Sequence, residues 1–224
     1  MDYTKTVEKI DSYVLDNFDI LEFLYLRDGD CKYSSLINNI LKGKTLVELK
    51  SEIGLFYRFQ GMDKDARINL LKLFDDEKEI IRSIDYKNID NVYIFYCDLL
   101  KKTGKITGKL QFVNTAKILN LYNQNIPLFD NNVINFLNYL NRNDKKIEKR
   151  LEENYKHILN LYKIINEKTH VSNIIKLYEK VFIEIRIKHI NLNKFIDTLM
   201  YFINDTKKIS EYKKLCMKKG QTST

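Results

Sequence analysis

At 224 residues and 26.8 kDa, with 44% hydrophobic and 30% charged residues, the chain can bury a sizeable core unaided and is too apolar for a disordered one. Seven glycines and one proline are too few for the turns of a β-sandwich, a barrel or a glycine-rich nucleotide fold, so the composition predicts an all-α fold. The formal charge of +8 is uneven: Arg142 through Lys219 holds 19 Lys/Arg against 10 Asp/Glu, leaving 19 basic and 20 acidic residues in the rest of the chain.

The first predicted helix starts near Thr4 and sets Val7, Ile10, Tyr13, Val14 and Phe18 on one face; a second runs from Asp19 through Leu26. Ser34 to Lys42 reads as a helix stopped by Gly43. Thr45 then opens another, with Glu48 at the capping-box spacing and Gly54 as its stop. Asp63 caps a run with Ile68, Leu71 and Phe74 inward. The acidic Asp75-Asp76-Glu77 starts a short helix through Ser83, as the helix dipole favours. Asn91 to Lys102 is strongly apolar, and the best loop of the chain is predicted around Gly104 and Gly108.

Phe112 to Tyr122 is the next helix, broken by Asn123 to Pro127 because proline lacks a donor and pushes its predecessor out of the helical region. Asp130 stands at an N-cap position ahead of Val133, Ile134, Leu137 and Leu140. Beyond Asp144 three longer stripes follow, led by Ile147, Val171 and Leu192. They predict a helical bundle with basic outer faces. Asn141 to Asp144 is the one plausible boundary, dividing the chain into a helical part at 1–141 and a basic bundle at 142–224 packed on it.

Cys31, Cys97 and Cys216 are an odd set without a C-x-x-C, which argues against a disulfide framework, a cysteine zinc site or an iron–sulfur cluster. The beginning of the sequence carries acid early and has no apolar core, and no later stretch reaches the roughly 18 apolar residues of a membrane span. A reducing, cytoplasmic setting is the expectation. His170 and His189 lack carboxylate or cysteine partners at a metal spacing, and Tyr93, Phe95 and Tyr96 lie in an apolar run that reads as core.

The basic surplus has two readings. One is a polyanion partner, since each neutralised phosphate releases counterions; Lys145, Lys146, Lys149 and Arg150 are the densest cluster for it. The other is the lysine-rich codon usage of an AT-rich genome, solvating outer helix faces.

The segment Val113-Asn114-Thr115-Ala116-Lys117-Ile118-Leu119, followed by Ile126-Pro127-Leu128-Phe129-Asp130, resembles the core of helix-hairpin-helix DNA glycosylases of the 8-oxoguanine glycosylase-like branch. The resemblance covers residues 113–137. It implies a glycosylase-like helical domain that binds DNA and excises a modified base, with associated lyase activity. In that setting Lys117 matches the lysine that attacks the sugar C1′, and Asp130 the assisting aspartate. A helix-borne amine shielded from water is a nucleophile, and a carboxylate at a helix N-terminus stays ionised beside a developing oxocarbenium. No metal and no organic cofactor is implied. Alternatives stay open: a non-catalytic helical module for nucleic acid or a protein partner, with Lys117 a surface lysine and Asp130 a cap; and a ribonuclease, because Arg150 and His157 have the R-x(4–6)-H spacing that resembles HEPN-type enzymes.

Overall fold

The computed structural model describes residues 2–28, 31–57, 62–128, 131–140, 152–185 and 191–204, and these form twelve α-helices and no strand. The fold is all-α. Helix α1 (Tyr3–Asp16) starts where the Asp2 carboxylate accepts from Lys5 N at 3.0 Å, and it buries Val7, Ile10 and Val14 completely, the face its sequence spacing predicts. Asn17 separates it from α2 (Phe18–Asp28). Helix α3 (Cys31–Leu41) begins three residues before the predicted Ser34 and ends before Gly43, whose left-handed φ of +92° turns the following Lys44 N back to Asn39 O at 3.2 Å.

The predicted capping box is present, and it closes a separate turn. Thr45 N donates to Glu48 Oε2 at 2.7 Å and Glu48 N to Thr45 Oγ1 at 3.2 Å, while α4 (Lys50–Tyr57) begins only afterwards. The Thr45 hydrogen bonds hold the Glu48 carboxyl below its ordinary pKa. Gly54 does not stop the helix but lies inside it: its neighbour Ile53 is fully buried, and that anchor outweighs the ~1 kcal/mol penalty of an interior glycine.

Asp63 caps α5 (Lys64–Asp76) as its sequence position predicts, accepting from Asp65 N at 3.0 Å and Ala66 N at 3.2 Å. Asp75 and Asp76, by contrast, do not open the next helix. Asp75 closes α5 and turns its carboxylate to Leu46 N (2.7 Å), Val47 N (3.2 Å) and the Tyr122 hydroxyl, so the following helix, α6 (Lys78–Ser83), starts after Glu77. A carboxylate placed for its own chain neighbours in the sequence thus serves a turn some thirty residues away.

Helix α7 (Ile89–Thr107) is longer than predicted and runs through Gly104 to a left-handed Gly108 with φ 71°. The loop prediction fails at Gly104 because Leu110 folds back onto that face; a Cβ there would stand 3.0 Å from Leu110 Cδ2. Helix α8 (Phe112–Tyr122) has the predicted limits. The remaining helices are α9 (Asn131–Leu140), α10 (Glu152–Asn166), α11 (Ser172–Ile185) and α12 (Leu192–Asn204).

The last three helices do not stand apart. Helix α1 packs on α9, α10 and α11, α2 on α11 and α12, and α9 on α12, while α7 joins α5, α8 and α10. One hydrophobic cluster accordingly runs from Val7 to Phe202. Residues 141–144, the expected boundary, lie outside the described residues.

The loop between α8 and α9 is held from several sides. Asn120 Nδ2 donates to Ile126 O at 2.7 Å and its Oδ1 accepts from the Tyr33 hydroxyl at 2.8 Å. The Tyr155 hydroxyl donates to Pro127 O at 2.9 Å, and Asn193 Nδ2 to Asn125 O at 2.7 Å. Asp197 accepts from the Tyr162 hydroxyl and, at 3.4 Å, from Leu128 N. Buried Lys194 sets its ammonium 4.7 Å over the Tyr33 ring.

Candidate nucleic-acid interface

Lys117 sits in the middle of α8, half-buried, between Ala116 and Ile118, which are fully buried. The helix runs unbroken through Asn114 and Ala116, and the turn that precedes it is the one at Gly108. Asp130 and the neighbouring Phe129 lie outside the described residues, as do Lys145, Lys146, Lys149 and Arg150. Of the residues that the glycosylase and polyanion readings name, Lys117 alone is therefore placed.

His157, from the R-x(4–6)-H pair, lies on α10 with Nδ1 2.7 Å from the Tyr3 hydroxyl, and burial holds its pKa below the ordinary histidine value. Its Arg150 partner is outside the described residues. His170 Nδ1 stands 3.1 Å from a Glu8 carboxylate oxygen. Among the described residues no group of three or more His, Cys, Asp or Glu side chains could hold a metal ion, and no helix is long and apolar enough to cross a membrane.

Basic groups do converge where the N-terminus of α7 meets the outer face of α10. The turn before α7 is fixed locally: Asp85 Oδ1 accepts from Lys87 N and Asp85 O from Asn88 N, both at 3.0 Å, and Asn88 Oδ1 then caps α7 through Asn91 N at 3.1 Å. On α10, Tyr155, Ile158, Leu159 and Tyr162 face the core, which leaves Lys156, Asn160 and Lys163 on the opposite side at helical spacing. The Tyr155 and Tyr96 rings, 4.1 Å apart between centroids, tie α10 to α7 beneath them.

Between the two elements lies an open groove of about 510 Å³, lined by Lys87, Lys156 and Lys163, by Asp85 and Asp90, and by Asn88 and Asn160. Lys156 pairs with Asp90 at 2.7 Å and lies 5.6 Å from the Tyr93 ring centroid. Lys87 and Lys163 have no carboxylate partner among the described residues. Two ammonium groups beside capping amides at a helix N-terminus make an environment for anions; the groove holds no nucleophile with an adjacent base.

One part of this groove was legible in the sequence. Lys156, Asn160 and Lys163 are spaced by four and three, a single helical stripe. The α7 turn could not be found that way, because the Lys156–Asp90 ion pair joins residues 66 apart.

A second cleft, of about 260 Å³, is walled by Asn125, Asn166, Asn191 and Asn193. Its carboxamides are largely spent on the protein itself: Asn166 Nδ2 donates to Asn193 Oδ1 at 2.9 Å and Asn191 Nδ2 to Gln124 O at 2.8 Å. It braces the loop ahead of α9. No family model, curated protein or solved structure matches the chain.

Proposed function

We propose that the protein binds DNA through its basic C-terminal third, with the α7/α10 groove as the described part of the binding surface. The observation that carries this reading is the pair of ammonium groups, Lys87 and Lys163, that share one polar groove and have no partner among the described residues. A phosphate entering there meets positive charge that no carboxylate has neutralised, and its counterions are released. The stripe of Lys156, Asn160 and Lys163 also extends, by sequence spacing, toward Lys149 and the cluster at Lys145, Lys146 and Arg150.

The test is a salt series on a labelled duplex. The logarithm of the binding constant should fall steeply with the logarithm of salt concentration, and charge reversal at Lys145, Lys146, Lys149 and Arg150 should flatten the slope by up to about 0.9 for each phosphate that is no longer neutralised. Equal slopes for wild type and the reversed variant would refute the proposal.

Base excision is the second reading, supported by the place of Lys117: half-buried in the helix that leads into the Pro127 loop, with Asp130 following in sequence. In this reading the Lys117 amine attacks C1′, the base leaves with the bonding electrons, and the opened sugar is held as an imine that borohydride reduces to a stable link. Wild type should cross-link to duplexes carrying oxidised guanine, and Lys117→Gln should lose the cross-link while still binding DNA. Trapping that survives Lys117→Gln, or no trapping on any modified duplex, leaves the non-catalytic binding module as the account.

A further inference from the structure

We infer that the α7/α10 groove takes a single strand in preference to a duplex, with an unpaired base stacked on Tyr86. The inference rests on the DNA-binding reading and names the form of nucleic acid that this surface selects.

Tyr86 stands beside the groove rather than in its lining, in the turn between two lining residues, Asp85 and Lys87. It is 37% exposed, and among the described residues its ring makes no aromatic or cation–π contact and its hydroxyl no hydrogen bond. That sets it apart from the tyrosines of the interior. Tyr33, Tyr96, Tyr155 and Tyr162 are all buried, and each has its hydroxyl spent on a partner. The backbone beneath Tyr86 is nevertheless fixed, by the two 3.0 Å hydrogen bonds to Asp85 and by the Asn88 cap. A partly exposed aromatic ring, with no aromatic, cationic or hydrogen-bonding partner among the described residues, thus stands on a fixed turn.

The charge pattern points the same way. The groove holds three ammonium groups and two carboxylates, and one of each is already paired as Lys156 and Asp90. Lys87 and Lys163 remain to follow one row of phosphates, and Asp85, the carboxylate left over, opposes the second row that a duplex would bring. A single strand presents one phosphate row and free base faces, and base-on-aromatic stacking together with a cationic track is how such strands are held without sequence preference. In a duplex the base faces are covered by their neighbours and only base edges are offered, through grooves about 12 and 6 Å wide, so Tyr86 could not stack there.

Fluorescence anisotropy with a labelled oligothymidylate and a blunt duplex of equal length, each over a salt series, tests this on the full chain. Wild type should bind the oligothymidylate more tightly. Tyr86→Ala should weaken that complex about 5- to 100-fold and leave the salt slope unchanged, as expected for loss of one stacked base. Tyr86→Phe should bind like wild type. Because most of the Tyr86 side chain is covered, Tyr86→Ala also gives up packing and is paired with Tyr86→Leu, which keeps apolar bulk without an aromatic face; both should weaken the oligothymidylate complex while their circular dichroism spectra match wild type. Lys87→Glu with Lys163→Glu should weaken both complexes and flatten both slopes. Oligothymidylate binding that is untouched by Tyr86→Ala, or a duplex bound as tightly as the single strand in a lysine-dependent manner, overturns this inference alone. Binding of neither nucleic acid at low salt overturns the DNA reading and this inference with it.

Discussion

The loop from Asn123 to Leu128 and the groove between α7 and α10 are both rich in polar side chains, yet they use them in opposite ways. Around the loop, the polar groups of Asn120, Tyr155, Tyr162, Asn193 and Asp197 are buried and turned to specific protein partners. Around the groove, Lys87 and Lys163 have no partner among the described residues. Burying a polar group is tolerable only when its hydrogen bonds are remade, so the first set specifies the fold and cannot be spared. The second set costs folding little and is available to a ligand. Substitutions in the first region should therefore change stability without changing binding, and substitutions in the second the reverse.

The sharpest way to break this contrast is Asn120→Ala. The change strands the Tyr33 hydroxyl and Ile126 O in the interior, each otherwise bonded to Asn120, and should cost roughly 2–4 kcal/mol in urea unfolding. Affinity for DNA, measured where the variant is folded, should be unchanged. A loss below about 0.5 kcal/mol would mean that the loop is not held as described.

A smaller effect is expected at Asp11, which extends the same principle to a helix end. From α1 it caps α11, accepting from Asn173 N and Ile174 N at 2.9 Å and from Asn173 Nδ2 at 2.7 Å. Asp11→Ala should cost about 1–2 kcal/mol, and Asp11→Asn less, since an amide oxygen still accepts. Equal losses in the two variants would show that the charge, not the cap, matters.

The smallest effect concerns His157, on the same helix as Lys156 and Lys163. Because burial lowers its pKa, the unfolded chain takes up a proton near the ordinary value of 6.5 that the folded protein still refuses. The neutral ring's contribution is thus complete above about pH 6.5 and declines as the pH falls toward the lowered folded pKa. Melting temperature followed downward from neutral pH should drop less steeply for His157→Gln than for wild type. Parallel curves would remove His157 from the account.

How much of this could be read from residues alone depends on the range of the interaction. The limits of α8, the buried face of α1, the Asp63 cap and the Thr45–Glu48 box follow from interactions within a few residues, and all are found as the spacing predicts. Gly54 and Gly104 misled because long-range packing, through Ile53 and Leu110, carried each helix through its glycine. Asp75 misled because its partners are Leu46, Val47 and Tyr122 rather than its own chain neighbours. The site divides likewise: the α10 stripe is periodic and legible, whereas the Asp85–Asn88 turn opposite it is placed by tertiary packing. The proposed pairing of Lys117 with Asp130 reaches beyond the described residues on the Asp130 side.

The buried tyrosines give the protein an optical and alkaline signature. With fifteen tyrosines and no tryptophan, its near-ultraviolet absorbance and intrinsic emission are dominated by phenols. Phenols in water ionise near pH 10, but burial raises Tyr155 far above that value, and burial together with the Asp75 carboxylate raises Tyr122. Tyrosinate absorbance should thus rise in two stages as base is added: first from rings at the surface, then from the interior as the chain opens. Between the stages the folded state retains protons that the unfolded chain has released, so each step in pH above about 10 draws the equilibrium toward the unfolded form. The packing that excludes water from these phenols in neutral solution also fixes the alkaline limit of the fold.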